Sequence, residues 1–389
     1  VSKPFSIYIH IPFCIQKCPY CDFNTYAVSK APEKEYVSGL LAELDFRASL
    51  PEWKGRTVQT IFFGGGTPSI FSGKAIKNIL SHITRLFPML DYVEVSLEAN
   101  PGTVATDNLS EFYDAGVNRL SFGAQSFNTA TLKTLGRTHS PDQIIAAVES
   151  SRASLFSNIS IDLIFAVPGQ TIHDVRFDCE QALLLDVPHV STYSLTIEKG
   201  TPFYQSYKRG IFKPISDDLS LEMMDTIQEI LFQRGQGLER YEISNYAKPG
   251  KEARHNMAYW NGDDYLGVGA GAHSFCKDRR WSNIALPQSY VEKATSQGTA
   301  ESWEEKLTVR DQIFEYFFLG LRKIHGVSMS EFERRFQTKW DPLFGDLIDI
   351  LSTEKLIIQD ADCIRLSQRG LEIADSVIEN FSKLDLSAL

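Results

Sequence analysis

Over roughly the first two hundred positions, short apolar runs alternate with longer stretches of helical period. The runs at 7–11, 58–63, 92–97, 119–122, 159–164 and 189–195 are rich in Ile, Val, Phe and Leu and too short to be buried helices. Each predicts an inner strand. Between them, 33–50, 73–86, 110–115, 141–150 and 173–185 read as helices. Ser72 and the pair Ser140–Pro141 stand where a helix start wants a side-chain acceptor and a preset φ. About six such alternations call for a parallel sheet with helices outside it. Six units are two short of a closed eight-fold barrel. The predicted fold class is therefore α/β, with a partial, open, TIM-like barrel over 1–200.

Beyond 200 the pattern changes. Positions 220–234 read as an amphipathic helix, and 241–275 are rich in aromatics and glycine without clear period. Residues near 285–300 look like a linker. Helical patterns at 308–324, 328–336, 340–352 and 368–383, with a hairpin around 356–366, predict a small, mainly helical C-terminal domain carrying a short β wing. The expected division is a barrel (1–200), an extension (201–285) and a C-terminal domain (300–389).

Composition narrows the function. The chain has 389 residues, 43% apolar and 23% charged, as in ordinary globular proteins. No apolar run reaches the ~18 residues of a membrane span. The opening residues do not read as a secretory signal, so the expected compartment is the cytoplasm. A net charge of −10 argues against nucleic acid as a partner. The segment 301–389 is acidic too, with 11 basic against 17 acidic residues. Of six cysteines, Cys179, Cys276 and Cys363 are scattered and read as small buried hydrophobes. The other three are not scattered.

Cys14, Cys18 and Cys21 follow the first strand with C-x3-C-x2-C spacing. In barrels of this kind the chemistry sits at the C-terminal strand ends. Three thiolates on one loop can hold a [4Fe-4S] cluster at three corners, one fewer than the usual four, and leave one iron open. The rival is a structural zinc with His10 as fourth ligand. Zinc sites often add a second Cys/His pair, and none is present. Phe13, Tyr20 and Phe23 would shield a cluster from water. On the same rim, the glycines of Gly64–Gly65–Gly66–Thr67–Pro68 let backbone approach a ligand. Glu98, Gln125 and Asp162 offer hydrogen bonds, and Arg137 a planar fork for a carboxylate. Together they suggest a zwitterionic ligand that carries a sugar.

The motifs Y-x-H-x-P-F-C-x3-C-x2-C, F-F-G-G-G-T-P-S, S-L-E-A-N-P, S-F-G-A-Q-S-F and L-G-R-x-H, taken together, resemble the radical S-adenosylmethionine superfamily. Within it the chain is similar to the coproporphyrinogen dehydrogenase-like (HemN-like) branch, and there to HemW-type haem chaperones. The resemblance implies that Cys14, Cys18 and Cys21 bind the cluster, whose open iron takes the amino and carboxylate groups of S-adenosylmethionine. It implies S-adenosylmethionine contacts from Tyr8, Tyr20, Gly65, Gly66, Thr67, Glu98, Gln125, Arg137 and Asp162. One electron would then split the sulfonium. Two features depart from the dehydrogenases: Phe23 stands where they carry a fourth cysteine, and only thirteen residues precede Cys14. Both weigh against porphyrinogen decarboxylation.

The segment from His255 through Asn256 to Tyr259 and Trp260 matches the H-N-x-x-Y-W signature linked to haem in the HemW-type branch. It could equally stitch the extension onto the barrel. His273 is a rival haem ligand, and His139 reads as structural. The expected function is a haem chaperone that binds a [4Fe-4S] cluster, S-adenosylmethionine and haem. Its expected partners are haem-accepting apoproteins, with flavodoxin or ferredoxin as possible electron donors. The alternatives are an oxygen-independent coproporphyrinogen III dehydrogenase and a zinc-stabilised interaction protein.

Overall fold

Strand β1 (Phe5–Ile11) is buried at every position but Tyr8, as a strand between a helical layer and a barrel interior must be. It opens a run of parallel strands: β2 (Val58–Gly65), β3 (Met89–Ala99), β4 (Arg119–Gln125), β5 (Ile159–Phe165) and β6 (His189–Ser194). Their order in the sheet is their order in the chain. The computed structural model describes residues 3–104, 106–234 and 237–384. The helices Glu33–Ser49, Gly73–Leu86 and Pro141–Ala153 start where the sequence predicts, whereas Ile172–Leu184 starts one residue earlier and Thr106–Ala115 four residues earlier. Ser72 caps Gly73–Leu86, and Ser140 closes a capping box with Gln143 ahead of Pro141–Ala153.

The sheet does not end at residue 200. Tyr265–Val268 lies parallel to β1 on its other side, and His273–Cys276, Arg279–Asn283 and Glu301–Lys306 continue antiparallel from it. At the opposite edge Asn245–Ala247 and Glu239–Glu242 follow β6. Among the described residues, the result is an open, twelve-stranded sheet. The edge strand Glu301–Lys306 is largely exposed and mostly charged, which discourages further pairing. These added strands are mostly three to five residues long, too short to show a period in the sequence.

The expected linker near 285–300 is instead a helix, Pro287–Gln297. Its Tyr290 and Ala294 are buried against the helix Glu33–Ser49. Glu43, on that helix, is fully buried and accepts from Tyr290 Oη (2.8 Å), Asn283 Nδ2 (2.8 Å) and the Gly269 amide (3.1 Å). Four buried groups thus tie the extension to the barrel. The C-terminal module has its own core, an aromatic cluster around Phe317, Phe332, Trp340 and Phe344. Its wing pairs Ile357–Gln359 with Cys363–Leu366, and Val327–Ser328 with the latter.

Candidate functional site

The cysteine loop leaves β1 and returns at once. Phe13–Cys14 pairs with Tyr26–Ala27, and Val28 donates its amide to the Cys14 carbonyl at 2.9 Å. This clasp holds Cys14, Cys18 and Cys21, all half-buried free thiols, around one cavity of about 400 Å³. Each sulfur has its own polar neighbour: Thr67 Oγ1 at 3.5 Å from Cys14, Arg137 Nη1 at 3.4 Å from Cys18, and Thr25 Oγ1 at 3.9 Å from Cys21. Among the described residues, no three Cys, His, Asp or Glu groups are gathered to hold one metal ion. Three thiols on one loop can take three corners of a cluster, whereas a structural zinc wants four ligands. The zinc reading also loses its fourth ligand. His10 Nε2 donates to the Asn24 carbonyl (2.9 Å), which leaves Nδ1 to accept from Tyr8 Oη (2.9 Å). Of the expected shielding aromatics, Phe13 is turned into the core against Tyr36, whereas Tyr20 and Phe23 line the cavity.

The barrel strands and the segments that follow them supply the rest of the wall. Gly65, Gly66, Thr67, Glu98, Gln125, Arg137 and Asp162 all line it. Gly65 has φ +111°, and a Cβ on Gly66 would lie 2.5 Å from the Phe13 carbonyl oxygen. The glycines are therefore required first by close packing against the cysteine loop. Gln125 sits at φ +67°, at an interruption of the β4–β5 register. The Gly65 amide donates to Glu98 at 3.2 Å. Burial, together with the Asp162 charge, still lifts the Glu98 carboxyl to about 7. Asp162 accepts from Ser121 Oγ at 3.0 Å, and burial raises its carboxyl too. Tyr8 is not in the wall. It lies behind Gly64, and burial pushes its hydroxyl up.

Sequence reading missed Arg119, Ser121, Ser191 and Tyr193, which also line the cavity. A signal existed: stepping back by two from Gln125 along β4 gives Gly123, Ser121 and Arg119, one strand face. Arg119 is buried, its Nε has no partner, and its charge partly offsets the effect of burial on Glu98 and Asp162.

The H-N-x-x-Y-W residues do not share one pocket. They form the helix Arg254–Trp260, whose first amides, Arg254 and His255, donate to the buried Glu94 carboxylate of β3 at 3.2 and 3.1 Å. Asn256 faces the cysteine cavity, while Trp260 lines a second cavity of about 490 Å³. Tyr259 packs edge-on between His255 and Tyr265. His255 is buried with both ring nitrogens engaged. Thr60 Oγ1 donates to Ser6 (2.8 Å), so it accepts from His255 Nδ1 (2.7 Å), and His255 Nε2 accepts from Tyr259 Oη (3.0 Å). Burial, with the nearby Arg119 charge, lowers its pKa to about 3. In this arrangement His255 has no lone pair free for a haem iron and serves as a stitch. His139 is likewise structural, with Nε2 on the Ala124 carbonyl at 2.9 Å. His273 is exposed, near Trp303, and lines neither cavity.

An open parallel barrel with three cysteines after its first strand, facing carboxylates and guanidinium groups from the other strands and their loops, defines a radical SAM protein. The family model described as Radical SAM superfamily matches residues 8–182, and that of the HemN C-terminal domain matches 307–373. The heme chaperone HemW of Lactococcus lactis subsp. lactis is 36% identical, covering 100% of both chains. HemW of Bacillus subtilis is 35% identical and that of Escherichia coli 33%, each covering 97% of this chain and 98% of its own. The chain belongs to the HemW family of the radical SAM superfamily. A solved structure of coproporphyrinogen III oxidase HemN from Escherichia coli, a radical SAM enzyme, shares the fold. Its TM-score is 0.82 at 24% identity, over 97% of this chain and 90% of that one.

Proposed function

We propose that this protein is a cytoplasmic haem chaperone of the radical SAM type, which binds a [4Fe-4S] cluster, S-adenosylmethionine and haem and passes haem to acceptor apoproteins. The observation that carries this reading is the gathering of Cys14, Cys18 and Cys21 with Gly65–Thr67, Glu98, Gln125, Arg137 and Asp162 around one cavity. The full-length likeness to proteins named heme chaperone supports the haem half. Among the described residues, no helix is long and apolar enough to cross a membrane.

In this reading the three thiolates hold the cluster, which supplies one Lewis-acidic iron and one electron from a flavodoxin- or ferredoxin-type donor. The remaining work is the protein's. Glu98 and Asp162 accept from the ligand's amine and ribose hydroxyls. Arg137, anchored by Nη2 on the Gly123 carbonyl at 2.8 Å, presents its fork to a carboxylate. Tyr20 and Phe23 add aromatic surface to the lining.

Anaerobic reconstitution followed by iron and sulfide analysis, S-adenosylmethionine binding and a haem titration tests the reading. The final step is transfer from the loaded protein to an apo-haem enzyme, read as restored enzyme activity. Conversion of coproporphyrinogen to protoporphyrinogen by the reconstituted protein would overturn it in favour of the dehydrogenase. Absence of haem binding would overturn it outright.

A further inference from the structure

A haem cargo needs an axial donor, a flat apolar wall and cations for its two propionates. The cysteine cavity offers no imidazole among its described lining residues, and its thiols are assigned to the cluster. The second cavity lies at the other end of the barrel. It is lined by Lys3 and Pro4 ahead of β1, by Gln59 near the start of β2, and by the C-terminal module. Its volume of about 490 Å³ falls within the usual range for ligand sites, ~300–1,000 Å³. Trp260, Phe275, Leu319 and Val327 form its apolar wall.

His325 lines this cavity on an exposed turn, and among the described residues its ring makes no hydrogen bond. Cys363, half-buried, lies on the adjoining wing strand opposite Ser328. The charges around it divide into paired and free groups among the described residues. Lys3 is paired with Asp263 (3.2 Å), Glu315 with Arg280 (2.6 Å) and Glu331 with Arg334 (3.6 Å). Two lining cations have no carboxylate at ion-pair distance among the described residues. Lys323 donates only to Asn261 Oδ1 (2.9 Å), and Arg335 lies over the Phe336 ring (5.3 Å). Burial lowers the Lys323 pKa, and an arriving anion would favour its charged form.

We propose that the cavity between the barrel and the C-terminal module is the haem site, with His325 on the iron, Trp260 and Phe275 against the macrocycle, and Lys323 and Arg335 on the propionates. The proposal rests on the haem-chaperone reading. It separates the cargo from the cluster and makes the Arg254–Trp260 helix the wall between them, with Asn256 on one side and Trp260 on the other. A single axial donor on an exposed turn suits a cargo that must leave, because an acceptor's ligand can replace it without unfolding the core.

Haemin is titrated into the full-length protein, following the Soret band and the affinity, for wild type, His325→Ala, Cys363→Ser and the double variant Lys323→Gln/Arg335→Gln. Expected are a shifted Soret band and about tenfold weaker binding for His325→Ala, and about three- to tenfold weaker binding with an unshifted band for the double variant. Circular dichroism melts should match wild type, since these side chains lie at the surface or the cavity wall. Wild-type spectra and affinities in both His325→Ala and the double variant would remove haem from this cavity and leave the chaperone reading standing. Loss of the band in Cys363→Ser with His325→Ala unchanged would overturn the assignment of the iron to His325. A wild type that binds no haemin would sink both the site and the reading.

Discussion

The two cavities are built by different means. The cysteine cavity draws on successive parallel strands, where a period of two sends Arg119, Ser121 and Gly123 of β4 to one face. The second cavity is assembled from segments distant in sequence: Lys3, Gln59, Trp260, Phe275 and the turn at Lys323–Val327. The first is a property of the barrel. The second exists only because the C-terminal module packs where it does, with the Ile243 amide donating to the Arg322 carbonyl (3.1 Å) and Ile324 to Tyr241 (3.1 Å). Chemistry that needs fixed geometry fits the first, and cargo that must come and go fits a junction.

The largest expected break is at the thiols. Replacing Cys14, Cys18 and Cys21 by serine should abolish iron and sulfide incorporation after anaerobic reconstitution, while haemin affinity stays within about twofold of wild type. Retained iron would end the cluster assignment, and lost haemin binding would merge the two cavities into one site.

Next is the core behind the second cavity. Phe317 is fully buried among Phe332, Trp340, Phe344 and Phe381. Phe317→Ala should destabilise the C-terminal module by about 3–5 kcal/mol. Hydrogen exchange would show that loss within 313–381, with β1–β6 protected as before. Equal loss of protection in the barrel strands would mean that the two cores unfold as one.

His255→Ala should cost roughly 1–3 kcal/mol in a denaturant titration, because it strips Thr60 and Tyr259 of a buried partner. The haem Soret band should not move. A moved band would return His255 to the haem site.

The last effect depends on pH. The Glu98 carboxyl is raised from its ordinary 4.5 to about 7, so between those values the folded chain holds a proton that the unfolded chain has released. Stability from this group therefore falls as pH rises through that window. Glu98→Gln should stabilise the ligand-free protein by roughly 1–3 kcal/mol above pH 7, and the gain should vanish below the unfolded value. Thermal melts across that range check the sign. A gain that instead grew on acidification would mean that Glu98 is held ionised in the folded state.

The sequence by itself determined the barrel strands, the capped helices, the cysteine loop and most of the wall around it. All of these follow from local spacing: apolar runs, cap residues, and functional groups placed just past strand ends. The glycines after β2 were legible as a tight place, although the tightness is against the Phe13 carbonyl and His10 ahead of any ligand. Tertiary structure alone decided that 285–300 is a packed helix, because its apolar positions have meaning only against Glu33–Ser49. It also decided that His255 is a stitch. Whether an imidazole binds a metal or bridges two hydroxyls depends on what stands opposite each nitrogen, and here Thr60 is 195 residues away in the chain. The pairing of His325, Trp260, Lys323 and Arg335 around one space likewise has no local signature, since it arises only where two separately packed cores meet.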